Sequence, residues 1–216
     1  TGSGGSAIDL NGAGPWTLGH INATASGDGV HLDGAGIVTL SDSIIEAGED
    51  GLVARLATGA EWDVEDVTIS DSSVGISVMA YSGGGNLSLS NVNVDDSVTG
   101  LRAAGDVNLS HSKGFVNATQ EAGRLSNPSS GIDNVTFTSG AHGLTVVLGD
   151  ADLTDVSIIG ASQTLPGSAG VGVDGGGHVS IQGSDIQMFR SGVEATRYSS
   201  IEGDDLTVNQ VSNTIL

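Results

Sequence analysis

The sequence predicts an all-β fold, a right-handed parallel β-helix in which short strands stack turn upon turn. Three observations indicate this fold. A degenerate repeat of roughly 20–25 residues runs along the chain, each repeat holds three short runs of alternating apolar residues, and only 3% of the residues are aromatic, so the interior is aliphatic. A fixed period in this range is typical of one supersecondary unit stacked many times.

Each repeat is marked by a glycine followed by an aliphatic residue. These markers are Gly29, Gly51, Gly75, Gly100, Gly143, Gly172 and Gly192. The steps between them are 22, 24, 25, 43, 29 and 20 residues, and the step of 43 is close to two units. We therefore predict roughly eight to nine coils in a rod on the order of 40 Å long, at about 4.8 Å per coil. Residues 1–216 are predicted to form a single β-helix domain, as a whole protein or as a segment of a longer surface protein.

Three strands are predicted in each repeat. The first follows the marker, as in Leu52-Val53-Ala54; the second alternates cleanly, as in Val107-Asn108-Leu109; the third usually opens with Asp or Asn, as in Asp66-Val67-Thr68-Ile69. Alternation with a period of two and one apolar face is a strand signal. An antiparallel sandwich is the main rival, but the same three-part pattern recurring in the same order favours the β-helix.

The Asp and Asn residues that open the third strands have two interpretations. Stacked carboxylates could hold a row of cations. The favoured interpretation is that these side chains bond to nearby backbone N–H groups and tolerate the backbone conformation of a turn. Two segments, 117–131 and 159–170, break the period and are predicted to be loops. Insertions in repeat proteins map to loops on one face.

The charge of the chain excludes several classes of partner. The formal net charge is −20, from 26 carboxylates against 6 Lys and Arg. Nucleic acid is excluded because phosphate binding needs clustered Lys and Arg. Insertion into a membrane is excluded because no apolar run approaches the roughly 18 residues required. Two explanations of the acidity stay open, adaptation to high salt and the binding of calcium through oxygen ligands.

The stacked pattern over roughly residues 7–210 resembles the pectate-lyase-like β-helix superfamily. The resemblance is architectural, and no motif of that family matches. Its members include polysaccharide lyases, hydrolases, epimerases, phage tailspikes and surface adhesins. The lyases use calcium-binding carboxylates with a nearby Arg or Lys base, which implies Asp63, Asp66, Arg55 and Arg102 as catalytic candidates here.

Two further kinds of site are candidates. Asp28 lies in a Gly-Asp-Gly turn and Asp33 shares a strand face with a histidine, so these two are candidate metal ligands. Five sequons for N-glycosylation are present, at Asn22, Asn86, Asn108, Asn117 and Asn134. Asn117 is the favoured acceptor, because it lies in a predicted loop.

These observations predict a non-enzymatic protein located extracellularly or at the cell surface, with a structural, adhesive or filament-forming role. The ends carry no amphipathic helix that would cover an open coil, aromatic residues are few and the predicted loops are bland. The expected partners are copies of the chain stacked head to tail or flanking domains of a longer chain, and polysaccharide is a further candidate. The alternative is a carbohydrate-active enzyme, a lyase or hydrolase, or a sugar-binding module of the same fold.

Overall fold

The computed structural model describes residues 5–127, 129–162, 165–196 and 198–209. They form a parallel β-solenoid of about nine turns without any helix, so the predicted fold class and the predicted number of coils are confirmed. Residues 1–4 and 210–216 of the predicted domain lie outside the described residues.

The solenoid contains 21 described strands. In chain order they are β1 (Ile8–Asn11), β2 (Trp16–Gly19), β3 (Asn22–Ala25), β4 (Val30–Gly34), β5 (Ile37–Ala47), β6 (Asp50–Leu56), β7 (Ala60–Ser70), β8 (Val74–Ser90), β9 (Asn93–Ser112), β10 (Phe115–Ser126), β11 (Ser129–Asp133), β12 (Thr136–Ser139), β13 (His142–Val147), β14 (Asp150–Thr154), β15 (Ser157–Gly160), β16 (Ala169–Asp174), β17 (His178–Gln182), β18 (Asp185–Gln187), β19 (Ser191–Ala195), β20 (Ser200–Asp204) and β21 (Thr207–Asn209).

Every turn contributes one segment to each of three parallel sheets. Sheet A begins with β1 and ends with β19, sheet B runs from β2 to β20, and sheet C runs from β3 to β21. β5, β7, β8, β9 and β10 are longer than the others because each continues from one sheet into the next. Turn n therefore lies directly on turn n + 1 in all three sheets, and the side chains form rows along the axis.

Alternate residues of each strand point into the solenoid and form one aliphatic core. In sheet A, for example, Leu52, Ile76 and Leu101 are in register and fully buried. The outward neighbours are mostly polar, as the period-two pattern predicts. No single turn could bury its apolar face alone, so the stacking of turns makes the core and stabilises the fold.

The marker position is a glycine because the chain passes too close to its neighbours for a side chain. A Cβ on Gly170 would overlap the side chain of Ile186 and lie 2.7 Å from the carbonyl oxygen of Gly192. Gly170, and not Gly172, is the marker of its turn, because Leu144 is in register with Val171. A Cβ on Gly172 would meet nothing within 4 Å. The assignment of Gly172 as a marker was therefore wrong by two residues.

A column of left-handed backbone runs along the corner between sheets B and C, here called the corner column. It has one member per turn, and φ lies between 49° and 60° at each member. Its members are His20, Asp42, Asp66, Asn91, Lys113, Asn134, Asp155, Gly183 and Asp205. Asp and Asn visit this region more readily than other residues with a side chain, which supports the turn interpretation of these residues.

Residues 117–131 are a regular part of the solenoid, so the loop predicted there was wrong. They belong to β10 and β11, which complete the sixth turn. The glycine pattern does not reveal this turn, because its marker position is occupied by Ala122, which is fully buried, and the glycine stands at the next position, Gly123. The second predicted loop is confirmed as an extension, since residues 161–168 separate β15 from β16. Within it, residues 163 and 164 lie outside the described residues.

One core position of the fifth turn is a histidine. His111 is in register with Leu89 below and Ile132 above it, and it is 1% exposed. Its Nε2 is 3.4 Å from the carbonyl oxygen of Val92, while Nδ1 has no hydrogen-bond partner. Burial lowers the pKa of His111 to about 4, with the contact to the Val92 carbonyl opposing the shift. The core at this position therefore contains a neutral imidazole at pH 7.

Candidate functional site

The two end turns of the described solenoid expose part of the interior. Most of the core residues of the first and ninth turns are only partly buried, although Ala23 and Val193 are buried. The core residues of the turns between are covered on both sides. The partly buried set is Ile8, Leu10, Trp16, Leu18, Ile21, Ile201, Leu206 and Val208. Strand edges also end there, because among the described strands β1–β3 and β19–β21 each pair with one neighbouring turn only. Apolar side chains beside unpaired edges are the features of a docking surface for another strand layer.

A second feature is the distribution of positive charge. Arg55, Arg102 and Arg124 all lie on the strands of sheet A and face outward. By contrast, no Lys or Arg lies on the described strands of sheet B, which carry Glu61, Asp63 and further carboxylates. In a chain of net charge −20, an anion therefore meets positive charge on sheet A that the described strands of sheet B do not offer.

Arg102 and Arg124 are neighbours on sheet A, in register on the fifth and sixth turns. Their row continues with Ser77 on one side and Thr145 on the other. Arg124 also lies 3.7 Å from Glu121, at Nη1 to Oε1. Two guanidinium groups flanked by hydroxyls can donate several hydrogen bonds to one oxyanion. Sequence reasoning missed Arg124, because it placed this residue in a loop.

Asp50 lies at the start of β6, close enough to this row to interact with it. Burial raises the pKa of Asp50 above its ordinary value, and the charges of Asp28 and Glu49 add to the rise. A hydrogen bond from Ser77 and the charge of Arg102 oppose it. A carboxyl group with a raised pKa beside an arginine is a feature of many active sites and also of structural networks. Asp50 was not among the residues selected from the sequence.

The four lyase candidates are divided between different parts of the surface. Asp63 is exposed on sheet B and Asp66 is in the corner column, whereas Arg55 and Arg102 are on sheet A. Arg55 is 3.9 Å from Asp33, at Nη1 to Oδ2, across neighbouring turns. The structure therefore does not bring the predicted acids together with the predicted bases.

The two candidate metal ligands have protein partners. The carboxylate Oδ1 of Asp28 accepts a hydrogen bond of 3.3 Å from the backbone of Asp50, and Asp33 faces Arg55. Among the described residues, no group of three or more His, Cys, Asp or Glu side chains could hold a metal ion. In the fold, these carboxylates connect neighbouring turns.

The sequon asparagines differ in how far the fold engages them. Asn86 donates to Glu61 at 2.8 Å and accepts from Asn108 at 2.9 Å, which forms a ladder on sheet B. Asn117 lies in β10 and not in a loop. It donates to Asp95 at 2.8 Å and accepts from Thr138 at 2.8 Å. These three side chains are therefore integrated into ladders of hydrogen bonds along the axis.

Asn22 and Asn134 are the remaining two acceptors, and both are exposed. Asn22 lies on sheet C of the first turn, and Asn134 is a member of the corner column. A glycan on either would project into solvent without displacing one of the ladders described above. On the geometry, they are better acceptors than Asn117.

The ladder on sheet B borders an open depression of about 440 Å³. Its floor is formed by small residues of successive turns, Ser88, Ser110 and Gly131, and its rim includes Ile37 and Glu61. The only aromatic residue that lines it, Trp62, is buried in the core. A stacking platform for a sugar ring is therefore not present in this depression.

No family model, no curated protein and no solved structure matches this chain. The β-helix architecture that the resemblance implies is present, while membership of the pectate-lyase-like superfamily has no further support. The described residues include no helix that is long and apolar enough to cross a membrane.

Proposed function

We propose that this chain is a non-enzymatic, extracellular or cell-surface structural unit that stacks end to end. Its partners at the ends would be copies of itself or flanking domains of a longer chain. The observation that carries the proposal is the partly buried core of the two end turns, which lies beside strand edges that pair on one side only. Head-to-tail contacts of this kind are heterologous and generate filaments.

The backbone chemistry of the two ends is complementary. At the corner between sheets B and C, the backbone N–H of six column members donates to a carbonyl of the next turn, as from His20 to Ser41 at 3.2 Å and from Asp155 to Gln182 at 2.9 Å. The ninth turn therefore presents a donor at Asp205, and the first turn presents an acceptor at Gly19. A stacked copy would pair these groups, whereas two identical ends would not.

Tryptophan fluorescence tests end-to-end stacking. Trp16 is partly buried at the first turn and Trp62 is 2% exposed in the core, and the chain has no other tryptophan. In a Trp62→Phe variant, we expect stacking to shift the emission of Trp16 to shorter wavelength and to protect it from iodide as the concentration rises. The matched Trp16→Phe variant retains Trp62 alone and should show no such change.

Electron microscopy should show fibres one solenoid wide with a repeat of about 43 Å, nine turns at about 4.8 Å each.

A blocking variant locates the contact. Ile201→Glu places a charge in the exposed interior of the ninth turn, and we expect it to abolish the fibres. Ser180→Glu adds the same charge to the outer face of sheet B one turn earlier and should leave them intact. Discrete particles in wild-type protein at all concentrations, with unchanged Trp16 emission, would rule out self-stacking.

We propose salt adaptation as the reason for the acidity. The support is a sheet B surface on which carboxylates of the third, seventh and ninth turns are exposed without a cation on the described strands. Such a surface repels itself at low ionic strength. We expect the melting temperature to rise with added KCl and to be unaffected by a chelator. A fall on chelation would assign a role to calcium instead.

A second function, binding of an acidic saccharide, is favoured by one specific observation. Arg102 and Arg124 lie side by side on sheet A of a strongly acidic chain. This role would relate the chain to the carbohydrate-active members of the pectate-lyase-like superfamily. We expect polygalacturonate to bind, and Arg102→Ser or Arg124→Ser to weaken binding. Arg190→Ser is the control, because Arg190 is exposed outside the strands; an equal loss there would show that only overall charge matters.

A further inference from the structure

One pair of neighbouring members of the corner column makes a side-chain contact across turns. Asp66 of the third turn accepts a hydrogen bond of 2.5 Å from the amide of Asn91 in the fourth turn. The carboxylate belongs to the lower-numbered turn and the donor to the next one. This pair shows that an acidic member followed by a donor member places the two groups within hydrogen-bond reach.

The same order of residues recurs at the two ends of the described solenoid. The last member of the column is Asp205 in the ninth turn, with φ of 50°, and the first is His20 in the first turn, with φ of 56°. Both side chains are exposed. If a second copy continues the solenoid, its His20 follows Asp205 as Asn91 follows Asp66, and its Gly19 carbonyl receives the Asp205 N–H.

We propose that Asp205 and the His20 of a second copy form a pH-dependent joint between stacked copies. The proposal rests on the end-to-end stacking proposed above and specifies its register and its regulation. Histidine side chains ordinarily gain a proton near pH 6.5. Below that pH the contact is a charge-assisted hydrogen bond, and above it a neutral imidazole faces a carboxylate. Mild acid therefore tightens stacking.

Other ionisable groups face the same joint. Asp42 is the column neighbour of His20 within its own chain. Asp204 and Glu202 of the ninth turn lie on sheet B beside Asp205. Across the joint they would meet Gly19 and Thr17 of the second copy, which are neutral. Of the side-chain types at this joint, histidine is the one whose ordinary pKa lies between pH 5.5 and 7.5.

Sedimentation velocity of the full chain at pH 5.5 and 7.5, at fixed ionic strength, tests the joint. An exposed ion pair predicts a dissociation constant about two- to fivefold lower at pH 5.5 in wild-type protein. His20→Asn keeps a donor suited to left-handed backbone, as at Asn91, and should associate equally at both values. Asp205→Asn should also lose the pH dependence. Asp155→Asn is the matched control, because it makes the same change in the same column within the solenoid; it should retain the pH dependence.

The outcomes separate the two proposals. Association that is equal at both pH values in wild-type protein, or a pH dependence that persists in both His20→Asn and Asp205→Asn, overturns the joint and leaves stacking in place. Absence of association at either pH, with unchanged Trp16 emission, overturns self-stacking itself. Loss of the pH dependence in Asp155→Asn as well would assign it to net charge and overturn the joint.

Discussion

Replacing His111 by leucine should make the solenoid resistant to acid. The imidazole is 1% exposed in the central turn, and its folded pKa is about 4 against an ordinary value of 6.5. The unfolded chain therefore binds more protons below pH 6.5, and stability is lost as the pH falls from there towards 4. The linkage relation gives a loss of about 2 kcal/mol at pH 5 and about 3 kcal/mol at pH 4 from this one group. Leucine has no proton to bind and removes that loss.

At pH 7 the same substitution should change stability little. It removes a buried Nδ1 that has no partner, a defect that costs about 1–3 kcal/mol. It also removes the edge contact with Phe137, at 6.4 Å between ring centroids, which is worth about 0.5–1.5 kcal/mol. Leucine suits a position between Leu89 and Ile132. The pH dependence, and not the value at pH 7, is therefore the informative quantity.

Urea unfolding followed by tryptophan fluorescence measures this quantity at pH 7 and pH 5. The loss of unfolding free energy between the two should be smaller in His111→Leu than in wild-type protein by about 2 kcal/mol. Carboxylates, including Asp50 with its raised pKa, are common to both proteins, so their contributions cancel in the difference. The effect of Asp50 is opposite to that of His111, because a carboxyl group whose pKa is higher in the folded chain than in the unfolded chain adds stability as the pH falls. His142→Gln, which replaces an exposed histidine, is the control and should lose as much unfolding free energy between the two pH values as wild-type protein. Equal losses in wild-type protein and His111→Leu would refute the reasoning.

Three further predictions follow from the rows of the solenoid, each measured by urea unfolding. Gly170→Ala should destabilise by about 2–3 kcal/mol through overpacking, whereas Gly172→Ala, with open space at its Cβ, should not destabilise. Lys113→Val should cost about 1–2 kcal/mol, because a β-branched residue is strained at a φ of 53°, whereas Lys113→Asn should not destabilise. Asn117→Ala should cost about 1 kcal/mol by breaking its ladder, while Asn22→Ala should change stability by less than about 0.5 kcal/mol.

The sequence was sufficient to predict the stacking because the repeat is enforced by sterics. A side chain at Gly170 would overlap the turn above, so the glycine recurs wherever the chain makes that approach. In the sixth turn the marker position is occupied by Ala122, and the glycine follows at the next position, Gly123. A Cβ on Gly123 would lie 2.7 Å from Cδ1 of Leu144, so the close approach in this turn falls one residue after the marker position. The predicted loop over 117–131 was wrong for this reason.

Contacts between turns were harder to predict, because they depend on register to a single residue. Arg102 and Arg124 are 22 positions apart and become neighbours only if the sixth turn is recognised. Conversely, Asp63 and Arg102 are both outward residues of strands, but they belong to different sheets. An error of one turn or one sheet therefore changes every proposed site, although it leaves the fold class unchanged.

The repetition of turns also limits where a functional site can lie. The residues of a solenoid face are repeated along its axis, so a site on a face needs one turn to differ from its neighbours. On sheet A the adjacent arginines provide such a difference. The end turns differ from all others by necessity, since each has a neighbour on one side only. Their partly buried core and their corner groups, Asp205 and His20, are therefore the features on which the stacking proposal depends.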